Sequence, residues 1–413
     1  MRLPTTDAVH KHPRKTPAIV LGFLALFSVS VGLTLWSAGF GFNNVRGGAP
    51  PRPSVSIEPD ESLVEFIGKS VLHPRTAPLP RANSVPFEVE DFRKPFSDQT
   101  RETTETFPLY GSNKRGIHYR LDNDAIIQDG AHDMVLIVLV YNDEKSWGET
   151  RSVEDFFDLI ATFTHPPEKT AVTMLTSSKK EFDKVQSIMK EKIPAYAQFS
   201  LLYRNDLDTG SKLTRENRHD QGVQNVRRRM LARYRNYALL STLETWHQHV
   251  VWLDADVYSV PSELVSKMIK ADRDILEPIC VIRDRDSDHD REYDFNAWVG
   301  TRTQPKSAKE RNGFVPNPLD INRISDFSNK PHEYIALDSV GGTMLYVRAD
   351  IHRQGVLFPH HYVIGSEWNA EGYDGIETEG LCYSAHFLGF RCWGMPHEVI
   401  HHYSKPKNWT EPV

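Results

Sequence analysis

At 413 residues, with 39% hydrophobic and 25% charged content, the chain has room for one large folded domain and its attachments. Its net charge of −6 argues against nucleic acid as a partner. Three cysteines exclude a scaffold stapled by disulfides; they leave room for one bridge, with Cys382–Cys392 favoured over a pairing that uses Cys280, which lies in an apolar segment.

In chain order, residues 1–16 form a basic tail in which Arg2, Lys11, Arg14 and Lys15 outnumber Asp7. Residues 17–42 contain no charge, and their centre, AIVLGFLALFSVSVGLTLWSA, has roughly the 20 apolar residues that cross a bilayer. The length of this run and its continuation into GFGFNN fit an uncleaved signal anchor better than a cleaved signal peptide. Positive charge stays cytosolic, so the expected topology is single-pass type II with the remainder lumenal. Residues 43–130 are rich in proline and poor in apolar periodicity, which predicts an extended stem. Within it, ESLVEFIGKSVL has helical spacing.

Residues 131–413 read as the main domain. MVLIVLVY (Met134–Tyr141), TAVTMLTS (Thr170–Ser177) and AQFSLLYR (Ala197–Arg204) are continuous apolar runs of strand length. Helical patterns separate them over Val153–Phe163, Lys179–Ile193 and about Val223–His247. Strands apolar on both faces, alternating with helices, predict an α/β, Rossmann-like, mostly parallel sheet covered by helices.

The next run, VVWLDADVYSV, reads as a strand whose period of two points Asp254 and Asp256 the same way. Two carboxylates at a strand's end suit Mg²⁺ or Mn²⁺ holding a diphosphate. The same pair is also suited to opening a turn or capping the helix that Pro261 introduces. The preceding helix carries Arg227, Arg228, Arg229, Arg233 and Arg235, whose forked guanidinium groups match diphosphate oxygens or else form a solvated face.

Farther on, Tyr293, Asp294, Asn296 and Trp298 suit a loop that closes over a sugar nucleotide, and Gly341-Gly342 open a strand, Thr343–Val347, where backbone can approach a ligand. Glu367, Glu371, Asp374, Glu377 and Glu379 lie among glycines, too acidic a set for a core. They suit orienting sugar hydroxyls or stabilising positive charge on a glycosyl carbon. His401 and His402 follow a short apolar strand, where an imidazole completes a Mn²⁺ site. Asn408-Trp409-Thr410 is a glycosylation sequon.

The segments RRRMLARYRNYALLSTL, VVWLDADV, YDFNAW, VGGTMLYVRADIHRQGVLFP and EGYDGIETEGLCYSAHFLGFRCWGMPHEVIHH resemble the fungal Golgi mannan polymerase subunits, a family of membrane-anchored α-mannosyltransferases of the GT-A fold. The resemblance implies GDP-mannose as donor, a mannose-terminated N-glycan outer chain as acceptor, and Mn²⁺ (or Mg²⁺) as cofactor. It also implies retention of configuration, an α1,6 or α1,2 linkage, and assembly with related subunits in the Golgi membrane, with the endoplasmic reticulum as a further compartment. Carried over to this chain, it makes Asp254 and Asp256 the acidic motif on metal and donor and His402 the metal-binding histidine, with His401 as the alternative. Arg229 becomes the nucleotide contact, and Tyr141 and Asn142 the nucleotide-facing strand end. Asp374, Glu377 and Glu379 become the candidates for the acid acting at the anomeric carbon.

Overall fold

The computed structural model describes residues 94–403, except 98, 110–113, 128–131, 208–220, 284–288, 303, 305–319 and 370. By its contacts the chain divides into units 1–83 and 84–413, and every described residue belongs to the second. The expected anchor, 17–42, the segment ESLVEFIGKSVL and the sequon at Asn408 therefore lie outside the described residues. Among those described, no helix is long and apolar enough to cross a membrane.

The strands are β1 (Lys94–Ser97), β2 (Thr100–Pro108), β3 (Arg115–Asn123), β4 (Val135–Tyr141), β5 (Thr170–Thr176), β6 (Gln198–Tyr203), β7 (His249–Leu253), β8 (Val257–Ser259), β9 (Ile275–Arg283), β10 (Asp290–Glu292), β11 (Trp298–Gly300), β12 (Ile321–Arg323), β13 (Ile335–Leu337), β14 (Met344–Arg348) and β15 (Cys392–His402). All but β11 and β12, which form a separate ribbon, join one mixed sheet of order β1-β2-β3-β6-β5-β4-β7-β14-β9-β15-β13, with β10 on β9 and β8 on β15. The centre, β6-β5-β4-β7, is parallel, as is β9 with β15. The other pairings are antiparallel.

The expected alternation builds this parallel centre. Along β4, Val135, Ile137 and Leu139 face one core with Phe156, Phe157, Val185 and Met189, while Leu136 and Val138 face a second with Ala232, Ala238 and Leu239. The first core is covered by the helices Val153–Ala161 and Lys179–Lys192, and the second by Gln221–Thr242. Ser152 and Asp155 form a capping box at the first helix, and Ser178 caps the second by accepting from the Glu181 N–H. Cys382 and Cys392 are bonded, and Cys280 is buried and free.

Three expectations change. Thr100–Pro108 and Arg115–Asn123, inside the stretch 43–130 assigned to the stem, are strands of the sheet. They extend its side antiparallel and intersperse charged and hydroxyl side chains among the apolar ones, so they lack the apolar runs that mark the centre. The long helix stops at Thr242 rather than His247, because His247 Nδ1 accepts the Glu244 N–H at 2.9 Å and closes a turn. Finally, VVWLDADVYSV is two strands: β7 ends at Leu253, Asp254 and Asp256 lie in a turn, and β8 leaves to pair with β15. The strand period thus does not orient the two carboxylates; the turn does.

Candidate active site

The aspartate turn sits at the carboxyl end of β7, between β4 and β14, where open α/β sheets bind ligands. Backbone bonds fix both of its ends. The Asp254 N–H donates to the Thr343 carbonyl at 2.9 Å, and the Tyr403 N–H donates to the Asp256 carbonyl at 2.7 Å. Pairing of β8 with β15 sets His402 opposite Val257 and brings its Nε2 to 3.0 Å from Asp256 Oδ2. His402 Nδ1 lies 2.8 Å from the Tyr403 carbonyl, and Tyr293 stacks on the ring at 3.7 Å.

Both imidazole nitrogens of His402 thus face acceptors, which is the imidazolium arrangement. Burial opposes that charge, but the Asp256 hydrogen bond and charge outweigh it and raise the His402 pKa. His401 turns instead to Asp290, at 3.4 Å, and to the Tyr258 ring. His402 is accordingly the histidine that meets the aspartates.

Asp254 is held from the other side. Arg235 donates to Asp254 Oδ1 at 3.2 Å, to the Gly342 carbonyl at 3.2 Å and to Glu377 Oε1, with its guanidinium over the Phe358 ring. Removal from water raises the Asp254 carboxyl above its ordinary range despite Arg235, and Asp256 adds to the push. Glu377 takes φ +61°, the left-handed region that non-glycine residues rarely occupy, as the residue before the helix Thr378–Phe387. Its N–H donates to the Pro359 carbonyl at 2.8 Å.

The acids expected to be too many for a core are mostly buried, because arginines neutralise them. Glu379 pairs with Arg228 at 3.1 Å and with Arg302 at 3.3 Å; Asp374 pairs with Arg302 at 3.1 Å and accepts from the Tyr383 hydroxyl at 2.9 Å. Of the three acids proposed for the anomeric carbon, only Glu377 shares an arginine with Asp254. Arg229, expected on the nucleotide, pairs with Glu371. The helix explains this: Arg228 and Arg235, seven residues apart, fall within roughly 20° of each other around the axis, whereas Arg229 points about 120° away from Arg235.

Tyr141 and Asn142 lie at the carboxyl end of β4, the end that carries the aspartate turn on β7. The Tyr141 ring packs on Trp147 at 4.7 Å, and Asn142 receives Ser177 Oγ and Thr176 Oγ1. Gly341 and Gly342 do allow a close approach, but by protein groups. A Cβ on Gly342 would lie 2.4 Å from Arg235 Nη1, and one on Gly341 would lie 1.9 Å from Asp294 Oδ2. Asp294 Oδ2 also accepts from the Gly342 N–H and Thr343 Oγ1, each at 3.0 Å.

Two residues at the site have no sequence signal. Arg151 reaches the Ala255 carbonyl at 3.3 Å from the loop after β4. Glu277, buried on β9, accepts the Gly341 N–H at 2.7 Å, and burial, with the Asp294 charge, pushes its carboxyl pKa well above the ordinary range. Asp294 stands out in the sequence for its place in a mixed aromatic loop, not for this contact.

Two carboxylates and an imidazole are a donor set suited to Mn²⁺ or Mg²⁺. The Tyr403 carbonyl on Nδ1 leaves His402 Nε2 as the ligating atom. Among the described residues no three His, Cys, Asp or Glu side chains are gathered closely enough to hold a metal ion. Cationic donors, Arg235 and the His402 Nε2–H, stand against the two carboxylates instead, so a metal would displace them. The chemistry fits; the ligands are not preassembled.

The fold and this acidic turn define an α/β protein with a candidate ligand site at the carboxyl ends of its parallel strands. Residues 121–362 match the Anp1 family, and the chain belongs to it. Over 260 residues it is 29% identical to the mannan polymerase complex subunit mnn9 of Schizosaccharomyces pombe, covering 58% of this chain and 74% of that protein. It is 28% identical over 230 residues to the corresponding Candida albicans subunit MNN9, covering 52% of this chain and 60% of that one. It is 27% identical over 274 residues to the S. pombe mannan polymerase II complex anp1 subunit, covering 61% of each. For the latter two the chain therefore spans less than two thirds of the relative. Among solved structures, mannosyltransferase PcManGT from Pyrobaculum calidifontis, in complex with GDP-Man and Mn²⁺, aligns over 68% of this chain and 59% of that one with 13% identity and a TM-score of 0.38. No residue's role is transferred from so loose a likeness.

Proposed function

We propose that this protein is a GDP-mannose-dependent, retaining α-mannosyltransferase of the GT-A kind. In this reading it extends the mannan outer chain of N-glycans as one subunit of a mannan polymerase complex, held in the Golgi membrane by residues 17–42. Membership of the Anp1 family and the names of its relatives support the assignment. The observation that carries it is the meeting of Asp256 with His402 Nε2 at 3.0 Å, on the turn that also presents Asp254.

Asp254, Asp256 and His402 would hold Mn²⁺, or Mg²⁺, whose charge offsets that of a diphosphate leaving group. Arg235, kept in place by Glu377 and Phe358, adds a guanidinium on the Asp254 side. Glu377 is the acid brought to the turn, and so the candidate for steadying positive charge at the anomeric carbon. Asp374 and Glu379 act instead by fixing Arg302 and Arg228. The test is transfer of labelled mannose from GDP-mannose to an α-mannoside by the full-length chain with Mn²⁺. Transfer lost in Asp256→Ala, with the fold retained, is the expected result; transfer that survives this substitution overturns the assignment.

The unassembled ligand set favours one other reading, a non-catalytic subunit that organises such a complex. It predicts no transfer by the chain alone at any metal concentration.

A further inference from the structure

The arginines of the long helix whose contacts are described here are held by protein groups. Arg228 is on Glu379, Arg229 on Glu371, Arg233 on the Leu207 carbonyl, and Arg235 on Glu377, Asp254 and Gly342. Arg151 differs. It is half-buried in the loop after β4, and one Nη1 bond to the Ala255 carbonyl ties it to the peptide between the two aspartates. No carboxylate among the described residues lies within ion-pair distance of it. A guanidinium has five N–H donors. None of the Arg151 nitrogens is both sealed from water and without a partner, so the donors it does not direct at Ala255 reach solvent.

The loop beneath it is anchored. The Tyr403 ring lies against Gly148, whose φ of +102° admits no side chain readily, and Thr150 Oγ1 meets the Tyr403 hydroxyl at 3.1 Å.

We propose that Arg151 is a phosphate-binding residue, taking a nucleoside diphosphate beside the aspartate turn. This rests on the nucleotide-sugar reading above. The test is calorimetric titration of the full-length chain with GDP and Mn²⁺ over a series of NaCl concentrations. Arg151→Ala should weaken GDP binding about tenfold at low salt, the scale of one charge-assisted contact, and flatten the dependence on salt. Arg151→Lys should restore the salt dependence. Affinity within twofold of wild type, or weakening by the same factor at every salt concentration, assigns Arg151 only to pinning Ala255 and overturns the proposal. Wild-type protein that binds no GDP at all fails differently: it overturns the nucleotide reading before Arg151 is reached.

Discussion

Arg235 and Glu377 form a buried pair of opposite charge, and neither is cheaply left alone. Removing one partner of such a pair costs about 3–5 kcal/mol, because the other charge stays buried. Arg235→Ala should lower the unfolding free energy on that scale, while Glu377→Ala in the Arg235→Ala background should cost far less than in wild type. A denaturant double-mutant cycle reads the difference, and additivity within about 0.5 kcal/mol would mean the two are uncoupled. Asp254, Asp256 and His402 stand out in the sequence because each side chain announces its chemistry by type, and the structure brings His402 to 3.0 Å from Asp256. Arg151 does not. Its partner is a backbone carbonyl 104 residues away, which no local pattern records. For Arg229 the sequence is ambiguous for a related reason: a run of arginines gives the helix face only once one knows which side is buried.

Within elements, the apolar runs were read well where burial on both faces leaves no polar alternation, as in β4, β5 and β6. They were read poorly where a strand is half-wet, as in β2, or where one apolar run is cut by a turn, as between β7 and β8. The turn into β14 makes its own prediction. Gly342→Ala places a Cβ 2.4 Å and 2.7 Å from the two Arg235 nitrogens, so Arg235 must leave Asp254. Overpacking of this kind costs about 1–3 kcal/mol. The expected outcome is a drop of that size in unfolding free energy together with altered Mn²⁺ affinity by calorimetry. A variant with wild-type stability would show that Arg235 is not confined by this glycine.

At the scale of the whole molecule, two buried imidazoles should cost stability on acidification. Burial pushes His352 down to about 4 and His247 to about 3, below the ordinary imidazole value of 6.5. Between these limits the unfolded chain binds more protons than the folded one. Their contribution is therefore complete above about pH 6.5 and is lost as pH falls toward the folded-state values, at up to about 1.4 kcal/mol per pH unit for each group. Glu277 works in the opposite sense, since burial raises its carboxyl pKa and its contribution falls as pH rises. Comparing wild type with His352→Gln isolates one imidazole: the melting temperature of the variant should change less between pH 6.5 and 4.5. Parallel curves would remove His352 from the account.

The strand β15 runs between β9 and β13, pairs with β8, and carries His402 to Asp256. Among the described strands it is made latest, yet it occupies an interior place in the sheet. During synthesis, β8 and β9 must therefore wait with open edges, of the kind that recruits other chains, until residue 402 has emerged. Assembly of the sheet and completion of the histidine–aspartate contact are then one event in time. A nascent or truncated chain lacking β15 would lack the histidine–aspartate contact and expose sheet edges at the same time.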